Sequence, residues 1–345
     1  MTNRHLPEEH WRALAEEHAQ RADALTADHR RRAARGEKHP VEDFLFTHYS
    51  YKPAIMRRWH PGPGVELAGA ATTDRAQWRG YVPGGEPQSL RVDAEGLESA
   101  RAQQHALIER ILRSTADRAP RFGCFGLHEW AMVYRDDRPR HEVPLRLGSA
   151  GTDAVVESHE LRCTHIDAFR FFTPEAVPRN ELTPTRANQP EMDQSGCLHA
   201  GMDVYKWAIK LGPLVPGELL LDAFTLARDI RLLDMRASPY DLTDWGHMPV
   251  PIETPEGKAE YVRQQRAFAD RSNRLRRAML RAWRGPAADQ FAGAHSGHGA
   301  ADAGTLSRSA STRVAASSIR STGMRPDSTA AAMPSMTALA RSTDE

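Results

Sequence analysis

Cysteine is scarce in this chain. Three in 345 residues is too few, and an odd number, for a disulfide framework, and it points to a reducing compartment. No apolar run approaches the roughly 20 residues that a membrane span requires, and the opening M-T-N-R-H-L-P-E-E-H-W lacks the apolar centre of a signal peptide. A cytoplasmic protein with no membrane partner is expected. Neither sign of charge prevails. Lys plus Arg number 46 and Asp plus Glu 45, so contact with nucleic acid would need a local basic patch. Also missing are G-x-G-x-x-G, G-x-x-x-x-G-K-[ST] and G-x-S-x-G, which removes the main support for dinucleotide-binding, P-loop and α/β-hydrolase readings. There is no C-x-x-C and no repeat of solenoid period.

What is present is mostly helical pattern. Residues 7–35 are rich in Ala, Glu and Arg, acidic first and basic last as the helix dipole prefers, and Gly36 ends them. Residues 1–38 are expected to form a helical arm. The aromatic-dense stretch after His39-Pro40, interrupted by Pro53, predicts a buried helix pair, and 65–92 offers short strands between Gly and Pro. Residues 92–116, 198–211, 217–235 and the stretch from 253 to 284 show apolar positions at helical spacing. From Gly285 the composition turns to Ala, Ser, Gly and Thr, the signature of a disordered tail over 285–345. A single globular domain over 39–284 is expected. Its fold class is α+β, mostly helical, with a small sheet carrying a strand at 161–172.

That strand, L-R-C-T-H-I-D-A-F-R-F-F, is the pivot of the functional reading. Alternation would line up Cys163, His165 and Asp167 on one face beside Phe169 and Phe171. Each cysteine has a histidine close behind it: Cys124 with His128, Cys163 with His165, Cys197 with His199. Thiolate and imidazole are ligands for zinc and softer metals, so these six are the candidate metal ligands, for zinc or iron; the plain alternative is that they are buried core residues. On the helix after Cys197, His199, Asp203, Lys206 and Lys210 form one polar stripe, either a solvated face or an acid/base setting beside Trp207. H-E-W-A-M at 128–132 lacks the second His of a zinc protease but leaves Glu129 as a candidate carboxylate. D-M-R-A-S-P-Y-D-L at 234–242 offers Arg236 and Tyr240, with Arg236 paired to Asp234 or Asp241 as the plain alternative. The loop at 173–195 offers Arg186, Asn188 and Gln189 for a polar ligand.

Four runs carry a resemblance: G-C-F-G-L-H-E-W-A-M-V-Y-R, L-R-C-T-H-I-D-A-F-R-F-F-T-P, G-C-L-H-A-G-M-D-V-Y-K-W-A-I-K-L and L-D-M-R-A-S-P-Y-D-L. They resemble a bacterial, largely actinobacterial family labelled 3-methyladenine DNA glycosylase, over about 39–268. The resemblance implies DNA repair by hydrolysis of the N-glycosidic bond of alkylated purines, with alkylated DNA as partner. The segment L-G-P-L-V-P-G-E-L at 211–219 lacks the spaced glycines of a helix-hairpin-helix glycosylase, so no catalytic residue is carried over from those enzymes. Read from the residues themselves, Asp167, Asp203 and Glu129 are the candidate catalytic carboxylates. Arg170, Lys206, Trp207, Arg236, Tyr240 and Asn188 are the candidate substrate contacts. Flipping and stacking a base would need such rings and a carboxylate. The alternative is a metal-dependent enzyme acting on a small molecule through a Cys/His site.

Overall fold

The stretches with the clearest helical period become the centre of the molecule. The computed structural model describes residues 4–136 and 143–285. In chain order these form β1 (Arg4–Leu6), α1 (Glu8–Arg35), α2 (Phe44–His48), α3 (Pro53–Met56), β2 (Val65–Leu67), β3 (Tyr81–Pro83), β4 (Leu90–Val92), α4 (Ala94–Ala100), α5 (Ala102–Asp117) and α6 (Leu127–Ala131). They continue through α7 (Gly148–Glu157), α8 (Ile166–Phe169), α9 (Gln189–Met192), α10 (Leu198–Leu211), α11 (Gly217–Arg236) and α12 (Pro255–Arg284). The mostly helical α+β class holds. Beyond Gly285 the expected tail lies outside the described residues. Among those residues no helix is long and apolar enough to cross a membrane.

Helix α10 packs against both α11 and α12, and α5 closes on α12. Their facing stripes join one core that holds Trp130, Tyr205, Leu221, Phe224, Ile230, Tyr261 and Met279. Helix α12 starts where Thr254 accepts from the Gly257 N–H at 3.1 Å, with Pro255 at the first helical position. It runs from Glu256 to Arg281 and Arg284, the charge order its dipole favours. The N-terminal helix α1 lies on α3 and α11 and sends Ala22 into the main core.

The sheet is small, in the order β1-β2-β4-β3, with β1 parallel to β2 and the other pairs antiparallel. Its apolar cluster is separate: Trp11, Trp59, Val65, Leu67, Ala70 and Leu90. Beside it Arg75, 4% exposed, sits among four rings, 4.4 Å from the Trp78 centroid and 5.2 Å from that of Trp11, with Trp59 and Tyr81 on its other sides. It donates to the Trp59 carbonyl at 2.6 Å.

The 161–172 segment is not a strand, and the sheet does not carry it. Leu161 makes an isolated bridge to Asn180, residues 162–165 are irregular, and α8 follows. Two side chains account for this. Asn180 Oδ1 accepts from the Cys163 N–H at 2.7 Å and its Nδ2 donates to the Cys163 carbonyl at 3.1 Å, so one amide side chain takes the place of a neighbouring strand. His165 Nδ1 then accepts from the Asp167 N–H at 3.2 Å and caps α8. The expected row of thiol, imidazole and carboxylate on one face does not form.

Candidate metal centre and its cavity

Helices α2, α6, α8, α10 and α11 surround a cavity of about 260 Å³. Its walls are mainly apolar: Phe44, Tyr49, Met132, Phe171, Met202 and Tyr240. Its charged members are Glu129, Asp167, Asp203 and Arg231, with His48 and His199 as imidazoles. The three carboxylates that the sequence singled out therefore meet in one place, although they come from α6, α8 and α10. Of the polar stripe of α10, His199 and Asp203 line this cavity, Asp203 being only 3% exposed, while Lys210 borders a separate one.

On one side of the cavity, α6, α10 and α11 bring together His128, His199 and Asp234, one donor atom from each lying within 4.8 Å of the others. Asp234 is completely buried. His128 Nε2 lies 3.0 Å from its Oδ1, yet neither oxygen of Asp234 nor His128 Nε2 has an aligned hydrogen-bond partner. Burial alone would raise the Asp234 carboxyl, but His128 first, then His199 and Arg231, outweigh it and hold it at about 2. Burial together with His128 keeps His199 well below its ordinary value, so it is a neutral donor open to the cavity. Asp234 thus has charged neighbours, His128 at 3.0 Å and Arg231 at 3.6 Å, but no aligned hydrogen bond on either oxygen, which is costly for a buried carboxylate and leaves both oxygens available to a cation. The set of two histidines and one carboxylate suits zinc or iron(II).

On the other side stand His165, Asp193 and Asp203, whose donor atoms meet the same distance limit. This set is largely paired, with only Asp193 Oδ1 lacking a partner. Asp203 Oδ2 has Lys206 Nζ at 2.9 Å, His165 Nε2 at 3.2 Å and Gln189 Nε2 at 3.4 Å. Gln189 also donates to Asp193 at 2.9 Å. Burial would raise Asp203, but Lys206 and His165 press it well below the carboxylate range. Lys206 Nζ reaches Asp167 at 3.0 Å as well, and Arg186 and Arg170 bind Asp167 from outside. Here the Lys206 ammonium already neutralises the cavity-facing carboxylates Asp167 and Asp203.

The six residues expected as metal ligands are thus split. His128 and His199 meet in the first cluster with Asp234 as third donor, while His165 belongs to the second. All three cysteines line a small neighbouring cavity of about 20 Å³ together with His128 and His199. Among the described residues no cysteine sulfur joins a group of three possible ligands. Burial pushes Cys163 up to about 12, so it is a thiol rather than a thiolate. The expected thiolate site does not assemble: burial keeps the sulfurs protonated, and among the described residues none meets two further donors.

Of the expected substrate contacts, Tyr240 lines the cavity, and Lys206 and Arg170 act through Asp167. Trp207 is core, Arg236 donates to the Met248 carbonyl, and Asn188 closes a turn on Thr183 and Thr185. The sequence reading missed Asp234 and Arg231 as site residues. Their signal was present: both continue the buried stripe of α11 that runs through Ala223, Ala227 and Ile230.

Compared with family models, with curated proteins and with solved structures, the chain matches none.

Proposed function

We propose that this chain is a metal-dependent enzyme acting on a small molecule, with zinc or iron(II) held by His128, His199 and Asp234 at the cavity wall. One observation carries the reading: a fully buried carboxylate with both oxygens unbonded, facing two imidazoles. A protonated His128 would answer one oxygen of Asp234 and leave the other to Arg231 at 3.6 Å with no hydrogen bond, and it would leave His199 unused, whereas a divalent ion answers all three donors. Two imidazoles and one carboxylate leave coordination positions open, and His199 reaches the cavity, so those positions would face a substrate. The ion would polarise a substrate oxygen or activate a water; zinc would favour hydrolysis and iron(II) oxidation. A cytoplasmic setting belongs to the same proposal and is supported by the three free cysteines.

Elemental analysis tests this. The purified chain is expected to carry about one zinc or iron ion, with loss of that ion in His199→Ala and in Asp234→Asn variants that keep their helical signal. Wild-type protein that is folded, metal-free and unable to take up either ion removes the reading.

A second reading, an alkyl-base DNA glycosylase, draws on the family resemblance and on one feature of the cavity. Phe44, Tyr49, Phe171 and Tyr240 could stack a flipped base near Asp167 and Asp203. Those two carboxylates are already shared by Lys206, which weakens them as partners for positive charge on a sugar. This reading expects free methyladenine to be released from alkylated DNA. No release by folded, metal-replete protein eliminates it.

A further inference from the structure

Arg231 is 6% exposed and lines the cavity beside the proposed metal. Its Nη1 donates to Glu129 Oε1 at 2.9 Å and lies 3.6 Å from Asp234 Oδ2. Its guanidinium carbon lies 4.0 Å from the Phe44 ring centroid. Its Nε–H is buried with no partner. A guanidinium carries five donors in a planar fork that fits a carboxylate on two atoms at once, and a buried idle donor is costly. Glu129 therefore uses only part of what Arg231 offers.

Charge narrows the choice of ligand. With a divalent ion bound, the two acids Asp234 and Glu129 against the ion and Arg231 leave one positive charge at this end. At the other end Asp167 and Asp203 are already shared by Lys206. Between the ends the walls are Tyr49, Phe171 and Tyr240 with two methionines. At about 30 Å³ per water, the volume equals that of roughly nine waters, a small ligand.

We infer that the substrate is a small monoanionic carboxylic acid with an apolar or aromatic body, its carboxylate held jointly by the metal and by Arg231. The inference rests on the metal reading above. A phosphate monoester brings nearly two charges where one is called for, and a neutral ligand would leave the Arg231 fork idle.

Benzoate is the probe, titrated calorimetrically into the full chain with its metal content measured in the same samples. Binding to the metal-loaded wild type is expected. It should weaken roughly tenfold or more on chelation, and likewise in Arg231→Gln at unchanged metal stoichiometry. Arg231→Lys keeps the charge and loses the fork, so it guards against a folding defect, and its affinity should fall between the two. Equal affinity in Arg231→Gln and wild type overturns the inference, as does tighter binding of inorganic phosphate than of benzoate. In either case a measured metal stoichiometry leaves the metal reading standing. A wild type that takes up no metal overturns both.

Discussion

At the scale of single residues, Asp234 decides most. In the sequence it sits in D-M-R-A-S-P-Y-D-L, where a pair with Arg236 was the plain reading. In the structure Arg236 turns to a backbone carbonyl, and Asp234 points inward at His128. The residue type was visible, but its direction depended on the phase of α11, which only packing against α10 fixes. Burying this charge makes stability depend on what neutralises it. A chelator is expected to lower the melting temperature of the wild type by several degrees and to leave Asp234→Asn unmoved, because Asn removes both the charge and the ion's anchor. Thermal melts with and without chelator read this directly. An equal shift in both proteins would show that the ion acts elsewhere.

At the scale of elements, the long helices were legible because period and caps agreed: α1, α10, α11 and α12 lie within a few residues of their expected bounds. The 161–172 segment was not legible as a helical turn. Its aromatic and β-branched content favours a strand, and the deciding bonds come from Asn180, 17 residues away from Cys163. The start of α10 depends on a similarly distant contact. Gly196 lies against the Arg121 backbone, and an added Cβ there would fall 2.3 Å from the Arg121 carbonyl oxygen and 2.9 Å from Gln194 Oε1. Gln194 Oε1 meanwhile accepts from the N–H groups of both Arg121 and Gly196, so it cannot yield freely. Gly196→Ala is expected to destabilise the fold by about 1–3 kcal/mol and to displace His199. A denaturant midpoint equal to that of wild type would count against this account.

At the scale of the whole molecule, convergence is what the sequence reading reached only in part. It collected Glu129, Asp167, Asp203, His128, His199 and Tyr240, which do surround or adjoin one cavity. That Lys206 pairs with Asp203 and Asp167 and leaves Asp234 without an aligned hydrogen bond is not visible in the sequence, since it depends on which rows of α10 and α11 face each other. Within the N-terminal third, charge ties α1 to the residues that lead into α2. Asp43, ahead of α2, is 2.7 Å from Arg32 and 2.9 Å from His29 on α1, and accepts from the His39 N–H at 2.8 Å. Burial would raise its carboxyl, but Arg32, His29 and that N–H hold it at about 2. Because the folded value lies below the unfolded one, the contribution is complete above about pH 4 and is lost as pH falls toward 2, for roughly 2 kcal/mol in all. Asp43→Asn should flatten that part of the stability curve, as measured by denaturation at successive pH values. An unchanged acid limb would exclude the clamp.

The parallel pairing of β1 with β2 has a practical consequence. Residues Arg4–Leu6 occupy the open side of Val65–Leu67, so a short stretch near the start of the chain shields one margin of the sheet. Trimming the first seven residues would bare a strip of unsatisfied amides and carbonyls able to recruit a second molecule. Fusions for purification or labelling are therefore better attached at the opposite terminus.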